Sequence, residues 1–494
     1  MIFTSFLAKI RTRVPAGAAS LFSIQLFCNL GYSVLYSTLV LYATQGLKIN
    51  DVTATTLTGS FVALNYFLHL LGGYMGGRYF SYRTLFLLGI LLQVIGSLFI
   101  AVPHVAYLLW GLAIFLSGSG LNVTCINCMV TQLFEPHDKR REAVFLWNYS
   151  GMNLSFFVGF AIGGYFQLTQ HYQELFILAA IGNFLACVLT VYYWKSMYDR
   201  NTLYSQFSGE KKRLYQSLGL VGIVILILLL RLLLSYANIC NDIVIVIGLC
   251  IGVFWFLIAC KEKEAIVRNK IWAYILLALS SLTFWALYQL APMGLNLFIE
   301  RNVDAHLFGF SIAPQWTQNI NSIVIIFGGP LLSFVFSRLR ERGKDMSLAL
   351  QFAIALLLIG AGMLVLPIGI SFANPAGFTR YHWVMISYFL QSIGELFISP
   401  IGYAMIGQLA PMNLRGIMMG TWMMIIGIAA ILSDHFSKLM LGDIHTTNPL
   451  VTNENFSHTF NELGLSAVAI GIVLLCLMRL IGRLTGERQN HPPQ

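Results

Sequence analysis

One acidic residue, Glu395, lies near the middle of an apolar stretch that is long enough to cross a bilayer as a helix. The stretch runs from Trp383 to Pro411 and reads WVMISYFLQSIGELFISPIGYAMIGQLAP. A charge at the centre of a membrane helix costs about 2.5–3.5 kcal/mol on insertion scales, so it is rarely kept without a use. Pro400 lacks an N–H group, so the helix can bend just past the acid. The pattern predicts a site that binds a cation or a proton and moves; the alternative is an acid paired with a neighbouring helix for packing.

Polar and aromatic side chains on other apolar stretches are the candidates to line a cavity with this acid. On the first stretch, Gln25, Asn29 and Tyr32 recur at helical spacing and share one face, which favours a cavity over lipid. Further candidates are the hydrogen-bonding or aromatic residues Asn153, Trp285, Asn296, Gln318, Asn321 and Trp422.

Two other sets of titratable residues occur inside apolar stretches. His69 is alone on the second stretch, where a proton relay and a hydrogen-bonded packing residue remain open as interpretations. Asp434 and His435 lie toward the end of a later stretch, and we expect them to be solvated there.

The composition is that of a membrane protein with many spans. Of 494 residues, 57% are hydrophobic and 10% are charged, and the mean hydropathy is +0.74, whereas soluble domains carry about 25% charged residues. The net charge of +10 does not predict nucleic-acid binding, because 25 of the 30 Lys and Arg residues fall in alternate loops. By the positive-inside rule, both termini are expected to be cytoplasmic.

Fourteen apolar runs of spanning length follow one another: 18–44, 56–76, 84–102, 106–133, 143–168, 173–194, 217–236, 241–260, 271–298, 316–337, 347–370, 382–408, 416–440 and 462–483. The seventh and eighth have almost no polar residues and are predicted to face lipid. The remaining twelve predict an all-α polytopic membrane protein with the major facilitator fold, two six-helix halves plus an inserted helix pair. The expected domains are an N-terminal bundle at 1–200, a linker with two extra transmembrane helices at 201–265, and a C-terminal bundle at 266–494.

Several motifs recur in a fixed order along the chain. They are GSGL followed by EPHDKRREAVF, then YSGMN, FWALY, WTQNIN and GELFISPIGYAMIGQLAPMNLRGIMMGTW. Read together, they resemble the proton-dependent oligopeptide transporter family of the major facilitator superfamily, and bacterial di- and tripeptide permeases in particular. The resemblance implies substrate-binding roles for Tyr32, Tyr66, Asn153, Trp285, Asn296, Asn321, Glu395 and Trp422. Among these, Asn321 and Glu395 correspond to residues that hold the amino terminus of a peptide.

The chain also departs from this family at its charged positions. The ExxER signature of the first helix, the fourth-helix lysine and the seventh-helix acid fall on uncharged residues, namely Gln25, Cys28, Asn29, Val123 and Gln289. The resemblance therefore implies that the amine-binding half of the substrate pocket is intact and that its carboxylate-binding half has lost its cationic residues. Because an unpaired buried carboxylate costs several kcal/mol, an amine-bearing or neutral-ended solute is expected to fit better than a dipeptide zwitterion.

These features predict a secondary transporter of the inner membrane that works by alternating access. Its expected partners are a small peptide-like or amine-containing solute, the lipid bilayer and possible coupling protons, with Glu395 as the coupling candidate. The alternatives are an uncoupled facilitator and a transporter-like sensor or scaffold. No nucleophile–base pair or metal cluster stands out in the sequence, so no enzyme activity and no cofactor are expected.

Overall fold

The computed structural model describes residues 17–133, 140–197, 202–307, 309–343, 346–411, 414–442 and 446–486. Both chain termini and the EPHDK part of the EPHDKRREAVF motif lie outside these residues. Nearly all of the described chain is helical, as the apolar runs predict. The helices of the first half are α1 (Ala18–Cys28), α2 (Leu30–Leu41), α3 (Asp51–Met75), α4 (Tyr82–Ile100), α5 (Val105–Gln132), α6 (Arg140–Thr169) and α7 (Tyr172–Tyr192).

The inserted pair and the second half follow. The inserted helices are α8 (Gly209–Ser235) and α9 (Ala237–Lys261). The second half contains α10 (Ala265–Tyr288), α11 (Gly294–Asn302), α12 (Pro314–Glu341), α13 (Leu348–Ser371), α14 (Tyr381–Leu409), α15 (Arg415–Leu441) and α16 (Pro449–Thr485).

Four strands of two residues each join loops of the second half. They are β1 (Val303–Asp304), β2 (His306–Leu307), β3 (Phe310–Ser311) and β4 (Thr379–Arg380). β1 pairs in parallel with β4, and β2 pairs antiparallel with β3.

Within the described residues, eleven helical segments are long and apolar enough to cross a membrane. The first of these segments, Ala18–Gly46, comprises α1, α2 and the π-helical turn Tyr42–Gly46. The more polar helices α3, α6 and α14 have 25, 30 and 29 residues and complete the predicted set of fourteen. The prediction of an all-α, multi-pass membrane protein is confirmed.

Two of the spanning segments are interrupted, and each interruption has a visible cause. Asn29 separates α1 from α2, and its side-chain amide donates to the Gln25 carbonyl at 3.1 Å. Pro292 lies in the turn between α10 and α11. Because proline has no backbone N–H to donate, it cannot continue the hydrogen-bond ladder of α10. In contrast, α14 continues without a break through Pro400.

The described chain divides into two compact units. Unit 1 contains the residues up to Thr38, then Gln45–Leu47 and Leu64–Tyr236. Unit 2 contains Leu39–Thr44, Lys48–Ala63 and the residues from Ala237 onward. The inserted helices thus fall into different units, α8 in the first and α9 in the second. The boundaries 1–200, 201–265 and 266–494 stay a prediction.

Close helix packing in each unit depends on glycines that face a neighbouring backbone. In unit 1, a Cβ atom on Gly96 of α4 would lie 2.6 Å from the Phe115 amide of α5. In unit 2, a Cβ atom on Gly360 of α13 would lie 2.9 Å from the Gly464 carbonyl of α16. Such contacts let these helices approach more closely than larger side chains would permit.

Candidate functional site: a buried acid and two polar clusters

Glu395 on α14 is buried, with 6% of its surface exposed. The Asn321 amide of α12 donates to its Oε2 atom at 2.6 Å, and the Tyr288 hydroxyl of α10 hydrogen-bonds to the same carboxylate. Asn321 also lies 3.3 Å from the Ser392 hydroxyl. Among the described residues, no Lys, Arg or His forms an ion pair with Glu395. The carboxylate is therefore held by neutral donors, and its charge is available to a bound cation.

The position of this acid depends on the glycine beside it. A Cβ atom on Gly394 would lie 3.0 Å from the Ala355 carbonyl of α13 and 3.2 Å from the Phe284 ring of α10. Gly394 thus allows α13 and α10 to pack against α14 at the level of the acid. Tyr288, one turn beyond Phe284, is thereby brought to the carboxylate.

Trp285 extends this cluster through Tyr288, whose ring centroid lies 5.5 Å from that of Trp285 in an edge-on contact. Trp285 is buried, and its Nε1 atom has no hydrogen-bond partner in the described chain. The Gln318 Nε2 atom of α12 is likewise buried and unpartnered among these residues. Unpartnered buried donors indicate positions where a ligand or water is needed to satisfy them.

The remaining two candidate residues of unit 2, Asn296 and Trp422, lie on α11 and α15. Asn296 is fully buried on α11, beyond the break that contains Pro292. Trp422 on α15 is 1% exposed and packs against the Phe352 ring and Gly402. Trp422 is thus placed in the packed interior of the unit.

A second polar cluster lies in unit 1 around Asn65 of α3. The Ser119 hydroxyl of α5 donates to the Asn65 Oδ1 atom at 2.7 Å, and the buried Tyr32 of α2 hydrogen-bonds to Asn65. Tyr66 follows on α3, and its ring lies 5.7 Å from that of His69. Three helices are joined here by side-chain hydrogen bonds. Sequence reasoning identified Tyr32 and Tyr66 but missed Asn65 and Ser119, which make the hydrogen bonds of this cluster.

The other polar residues predicted in unit 1 make bonds within their own helices or none. Asn29 donates to Gln25, as described, and the Gln25 Oε1 atom is buried without a partner among the described residues. Asn153 donates to the Tyr149 carbonyl of α6 at 2.9 Å. In the described part of the chain, no group of three or more His, Cys, Asp and Glu residues could hold a metal ion.

Asp434 was expected to be solvated, and that expectation is wrong. Its side chain is 2% exposed, and Oδ2 accepts from the Lys438 ammonium at 2.8 Å and the Asn241 amide of α9 at 2.9 Å. The Ser60 hydroxyl of α3 donates in turn to the Asn241 Oδ1 atom at 2.7 Å. The spacing of Asp434 and Lys438 by four residues was the signal in the sequence for this pair.

Comparison with known protein families decides the classification. The model of the POT family matches residues 80–448, about three quarters of the chain. The chain belongs to the POT family. The resemblance of the sequence motifs to proton-dependent oligopeptide transporters is thereby confirmed.

Curated relatives and solved structures agree with this assignment. The chain is 29% identical over 477 residues to dipeptide and tripeptide permease A of Salmonella typhimurium, covering 96% of this chain and 94% of the relative. It is 28% identical over 477 residues to the Escherichia coli K12 permease of the same name, with the same coverage. POT family proteins are transporters and not enzymes.

The fold agrees with solved members of the POT family. A peptide transporter POT in complex with sulfate matches with a TM-score of 0.82 at 26% identity, over 95% of this chain and 96% of that one. A POT family transporter in complex with 5-aminolevulinic acid matches with a TM-score of 0.81 at 25% identity, over 94% and 97%. The predicted major facilitator fold is confirmed.

Proposed function

We propose that this POT family member carries small amine-bearing, peptide-like solutes across the inner membrane by alternating access. Glu395 binds the ammonium group of the solute, and Asn321, Tyr288 and Trp285 surround it. The observation that supports this role is a buried carboxylate with neutral hydrogen-bond donors and no ion-pair partner among the described residues. An ammonium ion is the counter-charge that such a group lacks.

The names of the relatives support the solute class. The curated relatives are dipeptide and tripeptide permeases, and one similar transporter was solved with 5-aminolevulinic acid. Both solute types carry an amino group, which is the group that a carboxylate can recognise. The further candidates Gln25, Asn29, Tyr32, Tyr66, Asn153, Asn296, Gln318 and Trp422 complete the set that we propose to contact the solute or shape its surroundings.

Uncoupled facilitated transport is the second candidate function. It is favoured by Gln25, Cys28 and Asn29, which are uncharged where coupling residues are expected from the family pattern. In the coupled alternative, Glu395 carries the proton. If transport is coupled, an imposed proton gradient should drive accumulation of the solute. A facilitator would only equalise the solute concentrations on the two sides of the membrane.

The proposed function predicts selective stabilisation of the purified protein by its solutes. We expect di- and tripeptides or other amine-bearing peptide-like compounds to raise the thermal unfolding temperature, while N-acetylated counterparts do not. The measurement is a thermal-shift panel that includes amino acids and polyamines, followed by uptake of each hit into proteoliposomes with and without a proton gradient. Stabilisation without uptake would contradict transport and favour a sensor.

The charge distribution predicts an orientation with both termini in the cytoplasm. Because 25 of 30 basic residues fall in alternate loops, a reporter fused after Gln494 should be active only as a cytoplasmic fusion. Paired fusions of alkaline phosphatase and a fluorescent protein measure this directly. A reporter active only in the periplasm would contradict the arrangement of fourteen spans.

A further inference from the structure

A row of four aromatic rings connects the end of α3 with the start of α8, entirely within unit 1. In spatial order the ring row consists of Tyr74, Tyr79, Tyr215 and Phe207, and neighbouring ring centroids lie 6.2, 5.8 and 4.5 Å apart. Tyr74 is 51% exposed, and the other three side chains are half-buried. The ring row is therefore part of the protein surface and not of the packed interior.

Hydrogen bonds and close packing fix the segment before α8 against the turn after α3. The Tyr204 N–H donates to the Gly77 carbonyl at 2.8 Å, and the Gln216 amide donates to the Tyr204 hydroxyl at 2.6 Å. A Cβ atom on Gly219 would collide with the Phe80 ring, so α8 packs closely on the same turn. The ring row thus has a defined position.

Two exposed cations stack on the two ends of the ring row. The Arg78 guanidinium lies 4.5 Å from the centroid of the Tyr74 ring, and the Lys211 ammonium lies 4.7 Å from that of Phe207. A cation over a ring face keeps its N–H donors, because the ring occupies none of them in a conventional hydrogen bond. Both cations are therefore held in place and can still bind an anion.

The start of α8 adds further positive charge. The Lys212 ammonium lies 4.8 Å from the Tyr204 ring centroid, and Arg213 is exposed. Three consecutive cations thus lie within the first five residues of α8, at the end where the helix dipole disfavours positive charge. Glu210 is the acidic residue of this turn, yet among the described residues no ion pair joins an acid to any cation of this surface.

The course of α8 indicates what lies against this surface. Directly after the cations α8 becomes apolar and outward-facing, with Leu218, Val221 and Ile225 51%, 55% and 59% exposed. Such a face on a helix of spanning length is expected to contact lipid. The ring row and its cations then lie at the level of the lipid headgroups, where tyrosine rings and Lys or Arg side chains concentrate. The anion that a bilayer offers at this level is the phosphate of a phospholipid.

We propose that the ring row and its stacked cations bind the headgroups of anionic phospholipids. The phosphate oxygens accept charge-assisted hydrogen bonds from Arg78, Lys211 and Lys212, and the rings lie between the headgroups and the acyl chains. This contact ties the inserted helix α8 and the turn after α3 to the membrane surface. It is independent of the identity of the transported solute.

The test measures the lipid selectivity of the full chain in a nonionic detergent. A trace of fluorescent phosphatidylglycerol is bound and then displaced by unlabelled phosphatidylglycerol or phosphatidylcholine with the same acyl chains. Wild-type protein should prefer phosphatidylglycerol by about tenfold at low salt and less at about 0.5 M salt. The triple variant Arg78→Gln, Lys211→Gln, Lys212→Gln should lose most of this preference, whereas Arg78→Lys, Lys211→Arg, Lys212→Arg should keep it.

The control is the triple variant Lys261→Gln, Lys263→Gln, Arg268→Gln. It removes the same charge between α9 and α10, where Glu262 and Glu264 alternate with the cations, and should retain the preference. An equal loss in both glutamine triple variants would overturn the proposal, because net charge alone would then attract the lipid. Displacement of the labelled lipid by glycerol phosphate as effectively as by phosphatidylglycerol would assign the surface to a soluble anion instead. Equal binding of the two lipids by wild-type protein would also overturn the proposal and leave the proposed transport unaffected.

Discussion

Replacing Glu395 with glutamine should weaken binding of amine-bearing solutes about a hundredfold or more, because removing one partner of a buried charge pair costs about 3–5 kcal/mol. Glutamine keeps the size of the side chain and its ability to accept a hydrogen bond from Asn321 at Oε1, so the packing of α12 against α14 should persist. The measurement is the dissociation constant of a stabilising dipeptide for wild-type and Glu395→Gln protein. The thermal unfolding temperature without solute should change little.

The matched control is Glu462→Gln on α16. Glu462 is exposed and pairs with His458 at 3.6 Å, so the same chemical change there should leave binding unaltered. Equal affinity of Glu395→Gln and wild-type protein would show that the buried acid serves packing, the alternative recognised in the sequence.

Replacing Lys438 with methionine should destabilise the protein by about 3 kcal/mol, the lower end of the range for breaking a buried ion pair. The variant leaves the Asp434 carboxylate, which is 2% exposed, with neutral donors alone, the Asn241 amide and the Thr55 and Thr56 hydroxyls. The lower end applies because the Lys438 side chain is 26% exposed and the solvent already screens part of the attraction. Thermal or denaturant unfolding in detergent measures the change.

The double variant Lys438→Met with Asp434→Asn removes both charges and should recover much of the lost stability. Glu341→Gln provides the control, because the Arg338–Glu341 pair is more than 60% exposed on both sides and should contribute no more than about 1 kcal/mol. If the double variant is as unstable as Lys438→Met, an unpaired charge is not the cause of the loss.

The fold was largely predictable from hydropathy, because each span requires an apolar run and leaves few alternatives in a bilayer. The Glu395–Asn321 pair was also predictable, since both residues belong to motifs with a recognised order. The burial of Asp434 was not, because it depends on α9, a helix nearly 200 residues earlier in the chain. The role of Asn29 in lining a cavity stays a prediction; the structure adds that its amide donates to the Gln25 carbonyl, a bond that the spacing alone does not reveal.

Hydrogen bonds between helices could not be predicted from the sequence either. Asn65 and Ser119 carry no distinctive spacing, and only the packing of α3 on α5 brings them together. The same is true of Tyr288, which belongs to the FWALY motif yet reaches the Glu395 carboxylate only because Gly394 lets α10 come close.

The central claim is that Glu395 recognises the amino group of the solute, and a binding cycle tests it most directly. Calorimetry compares a stabilising dipeptide with its N-acetyl form on wild-type and Glu395→Gln protein. The account predicts that acetylation weakens binding about a hundredfold in wild-type protein and less than about threefold in the variant. An acetylation penalty of the same size in both proteins would contradict it.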